Sequence, residues 1–229
     1  FDVTDGEGVE TAVSQVAEKV GSNGLAGLVN NAGIAVAGPL MYLPLEDFRR
    51  QMEVNLLGQL AVTQQFLPLL GAVPNAPHPP GRIINISSVS GKVVYPFMGP
   101  YAASKHALEA ISDALRRELL IFGIDVIVIG PGSVQTPIWD KAQDLDIEPY
   151  RDTPYKGMME GMKKVFIRQG KSGIPVEKVS EVIYEALTKE KPKTRYAIAR
   201  KLLSGWLLPR YLPARIFDNI IAKRLGITK

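Results

Sequence analysis

The sequence predicts an α/β protein built on a doubly wound parallel sheet, and three observations carry that prediction. Short apolar runs at residues 27–30, 82–87 and 125–129 alternate with long helical patterns, the order that covers both faces of a parallel sheet with helices. Each run ends in a glycine-, amide- or hydroxyl-bearing segment, and ligands of such sheets sit beyond the carboxyl ends of the strands. Tyr101 and Lys105 stand four residues apart in a helical pattern, which puts a phenol and an ammonium on one helix face.

Taken in chain order, residues 1–5 read as the tail of a buried strand entering a loop. Val9, Ala12, Val13, Val16 and Val20 predict a helix over 8–20, with Gly21 as its C-cap. Residues 44–70 form the longest helical pattern, with Glu46 and Asp47 at its positive end and Phe48, Met52, Leu56, Leu60 and Phe66 as its apolar stripe. A proline-rich connection over 72–81 leads to the strand that ends in Ser87 and Ser88. Pro100 fits a first helical position, and the helix runs to residue 122.

Residues 137–173 read as irregular and methionine-rich, with Trp139 and Tyr155. Methionine adapts to variable shapes, so this segment is expected to meet an apolar ligand. A helix over 175–189, a last strand over 195–199 and a basic, leucine-rich helical end complete the chain. The predicted division is a catalytic domain over 1–200 and a helical extension over 201–229.

The length of 229 residues suits one domain with an appendage. The absence of cysteine excludes disulfides, thiolate metal sites and cysteine nucleophiles together, and fits a cytoplasmic, reducing compartment. No metal-ligand spacing is present, and His78 and His106 read as bystanders. No apolar run reaches the roughly 18 residues that span a bilayer. The net charge of +4 hides an asymmetry: from Lys189 onward there are 11 Lys/Arg against 2 Asp/Glu. That basic end also carries Trp206, Leu207, Leu208, Tyr211, Leu212, Ile216, Phe217, Ile220 and Ile221. Such a composition either docks on an anionic membrane surface or covers the active site or a subunit interface. Covering is favoured, because the apolar residues need a partner in any soluble form.

A phenol has a pKa of about 10, and a cation within ~4–6 Å favours its ionised form. The pair Tyr101 and Lys105 is therefore a tunable proton donor and acceptor.

Five segments in order carry a resemblance: Leu28-Val29-Asn30-Asn31-Ala32-Gly33, Val54-Asn55-Leu56-Leu57-Gly58, Arg82-Ile83-Ile84-Asn85-Ile86-Ser87-Ser88, Tyr101 with Lys105, and Gly130-Pro131-Gly132-Ser133-Val134-Gln135-Thr136. Ser88 precedes Tyr101 by 13 residues. With that spacing, residues 1–136 resemble the short-chain dehydrogenases/reductases. The resemblance implies a Rossmann-like fold and a nicotinamide cofactor, NAD or NADP. It implies Tyr101 as acid/base on the substrate oxygen and Ser88 as that oxygen's hydrogen-bond partner. Lys105 would lower the tyrosine pKa and grip the nicotinamide ribose, and Asn55 would hold a water joining Lys105 to solvent. Asp2 and Val3 would meet the adenine, and Asn31, Ala32 and Gly33 the adenosine ribose. Pro131, Gly132, Val134 and Thr136 would pack on the nicotinamide side, while Asn30 braces the sheet.

The same resemblance places a glycine-rich phosphate turn in the first βα unit. No such turn follows Phe1, so the fold is expected to be N-terminally incomplete, with the strand at 27–30 as an apolar edge. The expected activity is oxidoreduction of a hydrophobic alcohol or carbonyl compound, such as a steroid, retinoid or other lipid. Reduction of a 3-oxoacyl thioester or polar keto substrate, and a non-catalytic scaffold, are the alternatives. A homodimer or homotetramer is expected, and nucleic acid is not an expected partner.

Overall fold

The computed structural model describes residues 1–136, 146–200 and 206–225. Helix α1 (Gly6–Val20) leads to strand β1 (Gly27–Asn30). Helix α2 (Leu45–Met52) then continues through a π-helical segment (Glu53–Gly58) into α3 (Gln59–Phe66). Strand β2 (Arg82–Ile86), helix α4 (Gly99–Glu118) and strand β3 (Asp125–Pro131) follow. Helices α5 (Lys156–Lys171) and α6 (Val176–Thr188), strand β4 (Arg195–Ile198), and helices α7 (Leu208–Tyr211) and α8 (Ala214–Leu225) complete the described chain.

The four strands lie parallel in the order β1-β2-β3-β4, with Leu28 beside Ile83 and Ile83 beside Val126. Alternation of side chains across a strand gives the sheet two apolar faces. Ile83 and Val126 pack with Leu70, Leu119 and Ile124 on the side of α3 and α4. Ile84, Ile86, Ile127 and Ile129 pack with Ala186 of α6 on the other. Each such isoleucine contributes roughly 1.5–3 kcal/mol on burial, so β2 and β3 form the rigid centre. The sheet is doubly wound, as its apolar strand pattern predicts.

Polar side chains brace this centre. Asn30 Nδ2 donates to Thr63 Oγ1 and to Asn85 Oδ1, both at 2.8 Å, and Asn85 Nδ2 donates to Ser112 Oγ at 2.8 Å. The chain of bonds ties β1, β2, α3 and α4 together. Asn30 braces the sheet.

Two expectations are corrected. Residues 1–5 form no strand; Phe1 is exposed, and Asp2 Oδ1 accepts from the Thr4 N–H and hydroxyl in a local turn. The stretch expected to be irregular contains the 16-residue helix α5. Met159 and Met162 on it are buried against Phe97 and Tyr150, so they serve packing. Trp139 lies outside the described residues. β1 is an edge strand, with Val29 exposed on the face opposite α3.

Candidate active site

The site is assembled from the carboxyl ends of β1, β2 and β3 and the first turns of α4. Pro100 lies in the first turn of that helix, where the missing N–H leaves no bond unmade. One face of α4 then presents Tyr101, Lys105 and Glu109 at four-residue intervals. Ser88 follows the end of β2, is buried, and its side chain is close enough to the Tyr101 phenol to lower its pKa. Lys105 is buried as well, with its ammonium 5.9 Å from the centre of the Tyr101 ring. It donates to the Ile86 carbonyl at 2.8 Å.

Burial sets the charges here. It lowers the Lys105 pKa to about 8, since a desolvated ammonium prefers to lose its proton. Burial also raises the Tyr101 pKa above its ordinary value, while the nearby Ser88 side chain pulls it down. The expected lowering by Lys105 is therefore corrected: desolvation of the phenol dominates, and Ser88 supplies the opposing effect.

Asn55 sits in the π-helical segment, fully buried. Its Oδ1 accepts from the Ile34 N–H at 2.8 Å, and its Nδ2 donates to the Ile34 carbonyl at 3.0 Å and to Ser104 Oγ at 3.3 Å. Ser104 Oγ in turn donates to the Tyr101 carbonyl at 2.8 Å. What the geometry displays is a brace between the loop after β1 and the start of α4.

Two residues that the sequence reading missed complete that brace. Gln51 Oε1 accepts from the Val36 N–H at 2.7 Å and its Nε2 donates to the Ile34 carbonyl, while Gln59 Nε2 donates to the Ala32 carbonyl. Gln51, Asn55 and Gln59 are spaced four apart and nearly fully buried. Their polar periodicity was the available signal.

The remaining candidates fall in three places. Asn31, Ala32 and Gly33 are exposed at the end of β1. A Cβ on Gly33 would lie 3.3 Å from Asn55 Oδ1, so glycine lets that loop close onto the brace. Pro131 ends β3; the Gly132 N–H donates to the Ile198 carbonyl at 2.7 Å, and Val134 pairs with Ile174. Thr136 is half-buried beyond them. Asp2 is exposed, and its two bonds from Thr4 hold its carboxyl below the usual range. Val3 packs toward Val9, Val62 and Phe66, with its carbonyl against Gly58. The structure joins Ser88, Tyr101 and Lys105 directly and Asn55 through Ser104. His106 points its Nδ1 at the Ala102 carbonyl and His78 at Pro79, away from this group.

An open groove of about 640 Å³ lies past the ends of β3 and β4, lined by Gln135, Ile174, Pro175, Ile198 and Arg200 among others. It borders residues 131–136 without reaching Tyr101. On the loop between Ser88 and Tyr101, the Tyr95 ring meets Phe217 of α8 edge-on at 6.1 Å.

Strand-end loops exposed side by side, a buried cation and a hydroxyl between them fit a nicotinamide nucleotide laid across the carboxyl edge of the sheet. Comparison with known proteins agrees. Residues 1–146 match the short chain dehydrogenase family. The chain is 44% identical over 225 residues to the NADPH-dependent 3-dehydrocapnine reductase of Ornithobacterium rhinotracheale, spanning 98% of this chain and 79% of that protein. It is 35% identical over 236 residues to retinol dehydrogenase 5 of Mus musculus, spanning 96% and 71%. Among solved structures, a short-chain dehydrogenase from Streptomyces avermitilis superposes with a TM-score of 0.73 at 24% identity, over 97% of this chain and 75% of that one.

Proposed function

The chain belongs to the short-chain dehydrogenase family and is an NAD(P)-dependent oxidoreductase of it, and from that premise we propose that Tyr101 is its acid/base for interconverting a hydroxyl and a carbonyl on a hydrophobic substrate. The observation that carries this reading is the Lys105 ammonium beside the Tyr101 ring, with the Ser88 side chain close enough to act on the same phenol. When bound, the nicotinamide supplies or accepts the hydride. The protein moves the proton. Tyr101 gives it to the substrate oxygen in reduction and takes it back in oxidation, while Ser88 Oγ hydrogen-bonds that oxygen and holds it in place.

The loop residues Asn31, Ala32 and Gly33 would hold the adenosine ribose, with Asp2 and Val3 toward the adenine. Pro131, Gly132, Val134 and Thr136 would hold the nicotinamide end, and Lys105 its ribose. The water joining Lys105 to solvent remains assigned to Asn55, alongside the bracing described above. NADPH is the nucleotide favoured, because the 44%-identical relative is named for it. A hydrophobic substrate is favoured by the retinol dehydrogenases among the relatives. A second reading, a polar keto or acyl-thioester substrate, is favoured by one observation: the Arg224 cation lies close enough to Tyr95 to act on its hydroxyl.

The test is Tyr101→Phe in the intact protein, with NADPH and 3-dehydrocapnine, and with retinol and NAD in parallel. Turnover is expected to fall by about 10²–10⁴, the usual worth of a general acid, with nucleotide affinity unchanged by fluorescence titration. Unchanged turnover refutes the assignment.

A further inference from the structure

Glu109 lies one helical turn beyond Lys105 on α4 and is only 2% exposed. Its carboxylate pairs with Lys92 Nζ at 3.0 Å and with the Arg195 guanidinium. A buried carboxylate needs such partners, because an unpaired buried charge is expensive. The partners come from separate parts of the fold. Arg195 opens β4, whereas Lys92 directly follows the tight turn Val89–Gly91.

That turn begins at Ser88. Ser88 Oγ accepts from the Ser90 N–H at 3.1 Å, and its carbonyl accepts from the Gly91 N–H at 3.0 Å. Gly91 rests directly on Glu109: a Cβ there would lie 3.0 Å from Glu109 Cγ and 2.7 Å from Ser87 Oγ. The Lys92 N–H closes the turn onto the Val89 carbonyl at 3.1 Å. Glu109 therefore touches the turn twice, by packing beneath Gly91 and by holding the side chain that follows it.

Electrostatics point the same way. Lys92 has its pKa lowered by burial and then by the Arg195 and Arg210 cations. Among these groups the Glu109 carboxylate makes the ion pairs that allow Lys92 and Arg195 to sit side by side.

We propose that Glu109 is a positioning residue for Ser88: it grips Lys92 and fills the space beneath Gly91, and so fixes the turn that presents Ser88 Oγ to the Tyr101 hydroxyl. This rests on the acid–base reading of Ser88 and Tyr101. Small displacements of a reacting group cost rate steeply, so a loosened turn lowers kcat while leaving the nucleotide loops as they are. Because Glu109 acts through Ser88, its effect must disappear once the Ser88 hydroxyl is gone.

The experiment is a double-mutant cycle of Glu109→Gln and Ser88→Ala in the intact protein, with 3-dehydrocapnine and NADPH as the probe pair. Glu109→Gln is expected to lower kcat about tenfold with the KM for NADPH unchanged, and to change kcat less than about twofold in the Ser88→Ala background. Lys92→Met leaves the Glu109–Arg195 pair in place and serves as the second variant should Glu109→Gln not fold. It is expected to show the same Ser88-dependent loss. Equal losses in both backgrounds, or full kcat in both Glu109→Gln and Lys92→Met, overturn the inference while the acid–base reading stands. Full kcat in Ser88→Ala instead removes that reading, and the inference with it.

Discussion

Lys105 is buried with its charge directed at one backbone carbonyl, and that arrangement has opposite consequences for stability and for activity. Its pKa is about 8, against roughly 10.4 for a solvated lysine. Between those two values the unfolded chain binds more protons than the folded one, so folding stability rises with pH across that window. Below pH 8 the desolvation cost is present in full. Lys105→Met removes the cost and leaves the Ile86 carbonyl without its donor. The variant is expected to melt no lower than the parent at pH 7, and its advantage to shrink as pH rises from 8 to 10. Differential scanning calorimetry across that range checks it, and an advantage that grows with pH contradicts it. The same variant is expected to lose both turnover and nucleotide affinity.

Tyr101 and Lys105 were legible in the sequence because helix geometry alone brings residues four apart together. The direction of the Tyr101 shift was not. It depends on how deeply the phenol is enclosed, a property of tertiary packing that no local spacing encodes.

At the scale of elements, the strands and helices read correctly wherever a single period ran without interruption. Strands β2 and β3 carry continuous apolar runs, and α1 ends at Gly21 with a φ of 52°, a conformation that glycine tolerates. The helical stretch from Leu45 onward shows what such a reading omits. Its apolar residues Phe48, Met52 and Leu60 are only half-buried, whereas Gln51, Asn55 and Gln59 are buried. Hydrophobic periodicity assigns the inward face to the apolar stripe, but here a loop of bare backbone lies against the helix. Exposed N–H and C=O groups need polar partners when covered, and the three amides supply them.

The two glutamines should differ on removal. Gln51→Met strands the Val36 N–H and weakens the hold on Ile34, at a cost of about 1–3 kcal/mol for a buried unsatisfied group. Gln59 already has an unpaired Oε1 among the described residues, so Gln59→Met loses one bond and one orphan together. Urea denaturation is expected to show the larger drop for Gln51→Met, and the reverse order contradicts the brace.

On the scale of the whole molecule, the basic C-terminal segment is where sequence left two readings open. Its charge and its apolar residues describe either a membrane-surface helix or a cover. Among the described residues no helix is long and apolar enough to cross a membrane. One contact bears on the choice. Phe217 of α8 meets Tyr95, on the loop that joins Ser88 to Tyr101. Arg210 stacks over Trp206 and Tyr211 at 5.4 and 5.3 Å, arrangements that hold a cation near aromatic faces. Tyr211 and Ile216 remain exposed, and none of the described apolar residues of α8 is fully buried.

Covering is the reading the Phe217–Tyr95 contact supports, and it carries a double expectation. Phe217→Ala should raise the KM for a hydrophobic substrate several-fold with little change for NADPH, because Tyr95, on the loop between Ser88 and Tyr101, loses its edge-on partner. The unaltered protein should stay in the supernatant when spun with anionic vesicles at low salt, where screening is weakest. Pelleting that requires anionic lipid, fades with added salt and survives Phe217→Ala would instead assign the segment to the membrane surface.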